Sequence, residues 1–340
     1  MTSTPQRQAS KLLPTLNIAK LIWIGPAAAW LVIFLFFCVV GGKAGFATLP
    51  GTAGWLNIAA ELGIIAIPVG LLMIAGEFDL STGSMVGAAS IIVAIGANIY
   101  HLPVAVCMVL AALVAVAVGV FNAVLVEHTK LPSFIVTLAS NMFLMGTSLG
   151  LARLLSGTST VSLHSDGWAK ALLATKVGFF NVSILWWLLA AALAAWVLQR
   201  TPFGNWVLAT GGNLDGARRA GVPVGRVKLV LFIWTALSAA FVGVLGVFEY
   251  NQGNATSGQG YVFQGAIAAV IGGVLLSGGF GSVIGVVFGT MIYGVVSLGL
   301  FYTGWSTDWL STFIGILLVI AVLTNNVVRQ RALSRGAARK

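Results

Sequence analysis

The chain has 340 residues, of which 59% are hydrophobic and 8% charged, and its mean hydropathy is +1.00. A soluble domain carries about 25% charge, so the composition excludes a soluble globular protein and predicts an integral membrane protein. The net charge of +10 does not argue for nucleic acid, because the basic residues lie between and beyond apolar runs, where membrane topology accounts for them.

Residues 1–20 are polar and basic (Arg7, Lys11, Lys20) and read as a loose cytoplasmic tail. The first apolar run, Leu21–Val40, has 20 residues and no charge. That is too long for a signal-peptide core, so we expect a retained signal anchor. Nine further apolar segments follow, near Trp55–Ala75, Ser84–Tyr100, Pro103–Val126, Phe134–Leu155, Val177–Leu198, Leu229–Phe248, Val262–Leu276, Val283–Tyr302 and Trp309–Val328. With about 20 residues needed per crossing, the expected fold is an all-α integral membrane protein with about ten transmembrane helices. The transmembrane domain then covers 21–328, and a basic cytoplasmic tail covers 329–340. Cys38 and Cys107 fall inside spans, which argues against a disulfide.

Ten spans place both termini on one side. With both ends inside, cytoplasmic segments hold 14 of the 18 Lys and Arg residues, and only Lys43, Arg153, Lys170 and Lys176 lie outside. The positive-inside rule therefore supports cytoplasmic termini. Two spans are short, and each adjoins a glycine-containing turn, GEFDLSTGS (76–84) and LLSGGFGS (275–282). Short, glycine-interrupted segments in matching positions of two halves point to a transport pathway. Gly281, Gly285 and Gly289 recur on one helix face and predict close helix packing. Trp186, Trp187, Trp305 and Trp309 are expected to include interfacial anchors.

The loop over 199–228, QRTPFGNWVLATGGNLDGARRAGVPVGRVK, is the main polar segment between spans. It predicts a short helix with Asn213 as N-cap, Leu214–Ala220 as body, Gly221 as a left-handed C′ residue and Pro223 blocking continuation. A capped helix presented to the cytosol implies a soluble partner that grips it.

Eight acidic residues carry the remaining chemistry. Glu61 lies inside a predicted span; it either faces the bundle interior or a water cavity as a pathway residue, or marks a later helix start with its carboxylate among headgroups. Glu77 and Asp79 lie in the first glycine turn; they could gate the inner mouth of a pore, and Asp79 and Ser81 could equally cap the next helix. Asn122, Thr137, Ser140 and Asn141 could bond a hydroxylated solute or join helices to one another. A Gly-x4-Gly-Lys-Ser/Thr phosphate cradle, a His-Glu-x-x-His motif and paired cysteines do not occur, so neither ATP hydrolysis, a metal, nor a cofactor is expected in this chain.

Four stretches resemble one family in the correct order. IAGEFDLSTGSM is similar to its Gly-Gly-Ile-Asp-Leu-Ser-x-Gly-Ser turn, and LPSFIVTLASNMFLMG to its Pro-x-Phe-Ile-x-Thr-Leu segment. TPFGNWVLATGGNLDGARRAGVPVGRVK and GYVFQGAIAAVIGGVLLSGGFGSVIG resemble its cytoplasmic loop and its Gly-Gly-rich segment. The family is that of permease subunits of ABC importers for ribose and similar simple sugars, and the likeness runs from about 56 to 326. Departures are Glu77 for a small residue, Asn205 for Arg and Ala220 for Ser.

The resemblance implies a pore for a simple sugar or polyol, a homodimer or a heterodimer with a second permease, a periplasmic sugar-binding protein and a separate cytoplasmic subunit that binds ATP and Mg. It implies the bacterial inner membrane. It makes the 213–221 helix the coupling helix, with Gly211, Gly212, Asn213, Asp215, Ala217, Arg218 and Gly221 as its contact residues. Glu61, Glu77, Asp79, Ser81, Asn122, Thr137 and Asn141 are the candidates for pathway or gate. The competing expectation is an ion-coupled secondary transporter of a small hydrophilic solute, working through Glu61 or Asp79.

Overall fold

The computed structural model describes residues 23–163 and 167–337, with side chains to Asn326. The expected tail 1–20, His164, Asp166 and the side chains of the basic C-terminal tail lie outside the described residues. Thirteen α-helices are described: α1 (Ile24–Gly41), α2 (Leu49–Ile74), α3 (Thr82–Asn98), α4 (Val104–Thr129), α5 (Ser133–Ser156), α6 (Trp168–Leu173), α7 (Ser183–Arg200), α8 (Pro202–Gly212), α9 (Leu214–Arg219), α10 (Val224–Tyr250), α11 (Tyr261–Ile271), α12 (Val283–Thr303) and α13 (Leu310–Ala337). Eight helical segments are long and apolar enough to cross a membrane, and α3 and α11 are shorter apolar helices. Both described cysteines are free.

Each of the two shorter helices adjoins a stretch of irregular chain. Segment 75–81 leads into α3 and segment 272–282 leads from α11 to α12. Irregular backbone within a membrane is tolerated only inside protein, and here several of its backbone groups are paired. Gly279 N–H donates to the Ile74 carbonyl at 2.8 Å, Leu275 N–H to Phe280 at 3.1 Å and Val274 N–H to Ala269 at 3.0 Å. The expected span Val262–Leu276 therefore ends as a helix at Ile271, and its last residues turn back instead. The expected start at Val177 also moves: Val177 belongs to a hairpin of β2 (Lys176–Val177) with β3 (Phe180–Asn181), and α7 begins at Ser183.

A second ribbon fixes which ends lie together. β1 (Thr160–Ser162), after α5, pairs antiparallel with β4 (Gln252–Asn254), after α10. The ends of α5 and α10 thus share one face, here called the ribbon face, and α8 and α9 lie on the opposite one.

Helix α2 sits at the centre, with a run from Leu62 to Ile74 that is buried throughout. Trp187 packs on it: a Cβ at Gly63 would meet the Trp187 indole nitrogen at 2.0 Å. Trp187 is 2% exposed, so it is a core residue and not an interfacial anchor, whereas Trp305 and Trp309 are exposed. Of the expected three-glycine face, Gly281 lies before α12 in the irregular segment, because the helix starts at the Ser282 cap. Gly285 and Gly289 do pack closely, since a Cβ at Gly285 would lie 2.0 Å from the Gly272 carbonyl and one at Gly289 2.0 Å from that of Ala268. Such approach of backbones replaces the missing hydrophobic drive between helices in lipid with van der Waals contact.

Candidate functional site

Three groups of residues stand out, one at each face and one between them. The first is the α8–α9 element. The sequence pointed to a single short helix, and the structure adds α8 before it. Thr201 Oγ1 accepts from Gly204 N–H at 3.3 Å and Pro202 fills the first turn, which start α8 despite its three glycines. Asn213 Oδ1 then accepts from Gly216 N–H at 2.9 Å and caps α9. Gly221 adopts φ +80°. Val222 N–H donates to Ala217 at 3.0 Å and Gly221 N–H to Arg218 at 3.1 Å, the paired bonds of a Schellman stop. Ala217 is buried beneath α9, while Asp215, Arg218 and Arg219 are exposed on it. Asp215 in the first turn and the two arginines in the last complement the helix dipole.

The end of α8 is wedged between the two glycine turns. A Cβ at Gly211 would lie 1.8 Å from the Ile74 carbonyl and 2.6 Å from Gly279 N, whereas one at Gly212 would meet only Gly279 Cα at 4.0 Å. A Cβ at Gly278 would lie 2.9 Å from Gly76 Cα. The turns that the sequence paired by likeness therefore meet in space, on the element that leads to α9.

An ion-pair chain ties α9 to the bundle. Arg218 Nη2 lies 2.7 Å from Glu127 Oε1, Glu127 Oε2 lies 3.5 Å from Lys228 Nζ, and Lys228 Nζ lies 2.6 Å from Glu77 Oε1. Glu77 is thus a partner of Lys228, a residue the sequence reading did not single out.

The second group surrounds segment 78–84. Ser133, Thr137 and Asn141, spaced four apart on α5, accept the backbone N–H groups of Phe78, Leu80 and Ser84 at 2.9, 3.1 and 3.2 Å. Ser140 donates to Asn122 Oδ1 at 2.6 Å, and Asn122 Nδ2 donates to Ser81 Oγ at 3.0 Å. Ser81 donates from its hydroxyl to Asp79 Oδ1 at 2.6 Å, and Thr235 donates to Asp79 Oδ2 at 2.5 Å. The expected side-chain cap by Ser81 is absent, because its hydroxyl is turned to Asp79; Asn141, from another helix, caps α3 instead. Asp79, Ser81, Asn122, Thr137 and Asn141 are all buried. In this conformation Asn122, Thr137 and Asn141 each bond chain from another helix or turn: Asn122 reaches Ser81 and Ser140, Thr137 the backbone of 78–80, and Asn141 Ser84.

The third group opens at the ribbon face. Glu61 lies twelve residues after the start of α2 at Leu49, so it does not mark a helix start. It lines a cavity of about 220 Å³ with Ser90, Tyr250, Asn254, Ser257 and Tyr261. Tyr261 donates to Glu61 Oε2 at 3.3 Å, and Glu249, held by Asn181 Nδ2 at 2.5 Å, lies beside Glu61. Gly243 and Gly246 form one wall. The cavity holds more than the roughly 10–15 Å³ that one water requires, and its hydroxyl, amide and carboxyl groups suit a hydrated or hydroxylated occupant. Tyr261, Tyr250 and Asn254 went unnoticed in the sequence, where nothing distinguishes them from residues at helix ends.

The profile of the family described as a branched-chain amino acid transport system permease component matches residues 51–322. The chain belongs to that family. It is a multi-pass membrane permease of the ABC importer class, which decides against the ion-coupled carrier. It is similar to the probable ABC transporter permease protein YphD of Escherichia coli, 31% identical over 91% of each chain. It is also similar to the fructose import permease protein FrcC of Rhizobium meliloti, 30% identical over 90% of this chain and 87% of the relative. The galactose/methyl galactoside import permease protein MglC of Escherichia coli is 31% identical over 78% of this chain and 82% of its own. No solved structure matches the chain.

Proposed function

We propose that this permease carries a simple sugar or polyol across the bacterial inner membrane, received from a periplasmic binding protein and driven by a separate subunit that binds ATP and Mg. The observation that carries this reading is the similarity to fructose and galactose permeases over most of the chain. The hydroxyl, amide and carboxyl groups of Glu61, Ser90, Asn254, Ser257 and Tyr261 in the ribbon-face cavity, beside Val86 and Val242, offer a hydroxylated solute both hydrogen bonds and an apolar wall. ATP chemistry belongs to the partner, because this chain lacks a phosphate cradle. The α8–α9 face is cytoplasmic: Lys130, Arg200, Arg218, Arg219, Arg226 and Lys228 cluster toward it, and both termini follow. The permease works as a dimer, with itself or with a second permease.

Helix α9 is the coupling helix, and Gly211, Gly212, Asn213, Asp215, Ala217, Arg218 and Gly221 build or present it. A rigid capped helix can pass a rigid-body push from ATP-driven closure. Gly221→Asp places a side chain at φ +80°, which costs about 1–2 kcal/mol, and adds a carboxylate at the helix's negative end. In a mild-detergent pull-down, the wild-type chain should recover a P-loop ATPase and Gly221→Asp should lose it. Wild-type recovery of none, in conditions that keep a control complex, would refute the reading.

The cavity is the outer part of the solute pathway, with the Glu61 carboxyl hydrogen-bonding the solute hydroxyls. Glu61→Leu should lower fructose or galactose uptake by about tenfold in reconstituted vesicles, the loss of one hydrogen bond to the solute. Uptake of leucine in place of sugar by the wild type would redirect the substrate assignment.

A further inference from the structure

We propose that Lys228 is a positioning residue that carries displacement of α9 into segment 75–81, with the Arg218–Glu127 pair as the releasable half of the link. The proposal rests on α9 being the surface gripped by the ATPase. Four elements meet at this point: Glu77 follows α2, Glu127 ends α4, Lys228 opens α10 and Arg218 sits on α9. The two halves of the chain differ in environment. The Lys228 and Glu77 side chains are 7% and 14% exposed, while those of Arg218 and Glu127 are 43% and 30% exposed. An exposed pair is screened and exchanges readily. A buried pair does not release one partner without leaving an uncompensated charge. A pull on α9 therefore breaks Arg218–Glu127 first.

Glu127 divides its two oxygens between the halves, Oε1 to Arg218 at 2.7 Å and Oε2 to Lys228 at 3.5 Å. Freed of Arg218, Glu127 closes on Lys228 and competes with Glu77 for the same ammonium. Helix α10 grips segment 75–81 at two points, Lys228 to Glu77 and Thr235 to Asp79. These anchors are seven residues apart, two turns on one face of the helix. A change in the lower grip therefore tilts the segment about the upper one, and the turn it moves is the one packed on Gly211 and Gly278. Helix α9 also joins α10 by a short covalent connection, residues 220–223, so the link and the chain move together.

The test uses the permease reconstituted with its ATPase and binding protein, and reads solute taken up per ATP hydrolysed. Lys228→Met should keep ATPase recovery in the pull-down yet lower that ratio by about a hundredfold or more. Lys228→Arg, which keeps the charge, should restore most of it. Glu127→Gln, on a half-exposed site that does not threaten folding, should lower it by about two- to fivefold. A wild-type ratio in Glu127→Gln, or Lys228→Arg no better than Lys228→Met, would overturn the link. Failure of the wild-type chain to recover an ATPase would instead strike the coupling assignment beneath it.

Discussion

Gly211→Val should abolish uptake, whereas Gly212→Ala, one residue on, should retain it. The Gly211 Cβ position lies 1.8 Å from the Ile74 carbonyl, which itself accepts the Gly279 N–H at 2.8 Å. Both neighbours are backbone, so no side-chain rotation relieves the clash, and α8 must lift off the two turns. Overpacking of this kind costs about 3 kcal/mol, and here the displaced element also carries α9. A Cβ at Gly212 reaches only 4.0 Å from Gly279 Cα, an ordinary contact. Uptake in reconstituted vesicles together with thermal unfolding in detergent checks the pair. Equal uptake and equal midpoints in both variants would show that α8 does not need its seat between the turns.

Asp79→Ala should destabilise the permease more than any exposed acidic substitution, by about 2–4 kcal/mol in detergent unfolding, from buried donors left unpaired at about 1–3 kcal/mol each. Its carboxyl receives the Ser81 N–H at 2.9 Å, the Ser81 hydroxyl and the Thr235 hydroxyl, and through Ser81 it reaches Asn122 and Ser140. Removing it leaves donors inside the bundle where no water replaces it. Thr235→Val removes only one of these bonds and should cost about 1 kcal/mol. If Asp79→Ala unfolds with the wild-type midpoint, the network does not hold segment 78–84, and Asp79 is free to act as a gate.

Local signals in this chain carried reliably into structure. The Asn213, Gly221 and Pro223 pattern gives α9 its start and stop because capping depends on bonds between residues two to five apart. The crossings are legible for the same reason: length and apolar content are properties of a segment by itself. α8 is less so. Gly204, Gly211 and Gly212 weaken a helix on propensity, and the counter-signal, Thr201 followed by Pro202, is short.

What the tertiary structure alone decided is which face of each span looks inward. Lipid-facing and protein-facing residues are both apolar here, so no polar stripe marks the outside. That is why Trp187 reads as an anchor in sequence and packs against Gly63 in space. It is also why Lys228 between Glu77 and Glu127, and Thr235 against Asp79 across 156 residues, emerge only from the fold. The sequence determined where the apolar helices lie and the caps of α9, each set by the composition and bonds of a segment by itself. The pairing of buried polar groups depends on which helices touch, and only close packing of the whole bundle settles it.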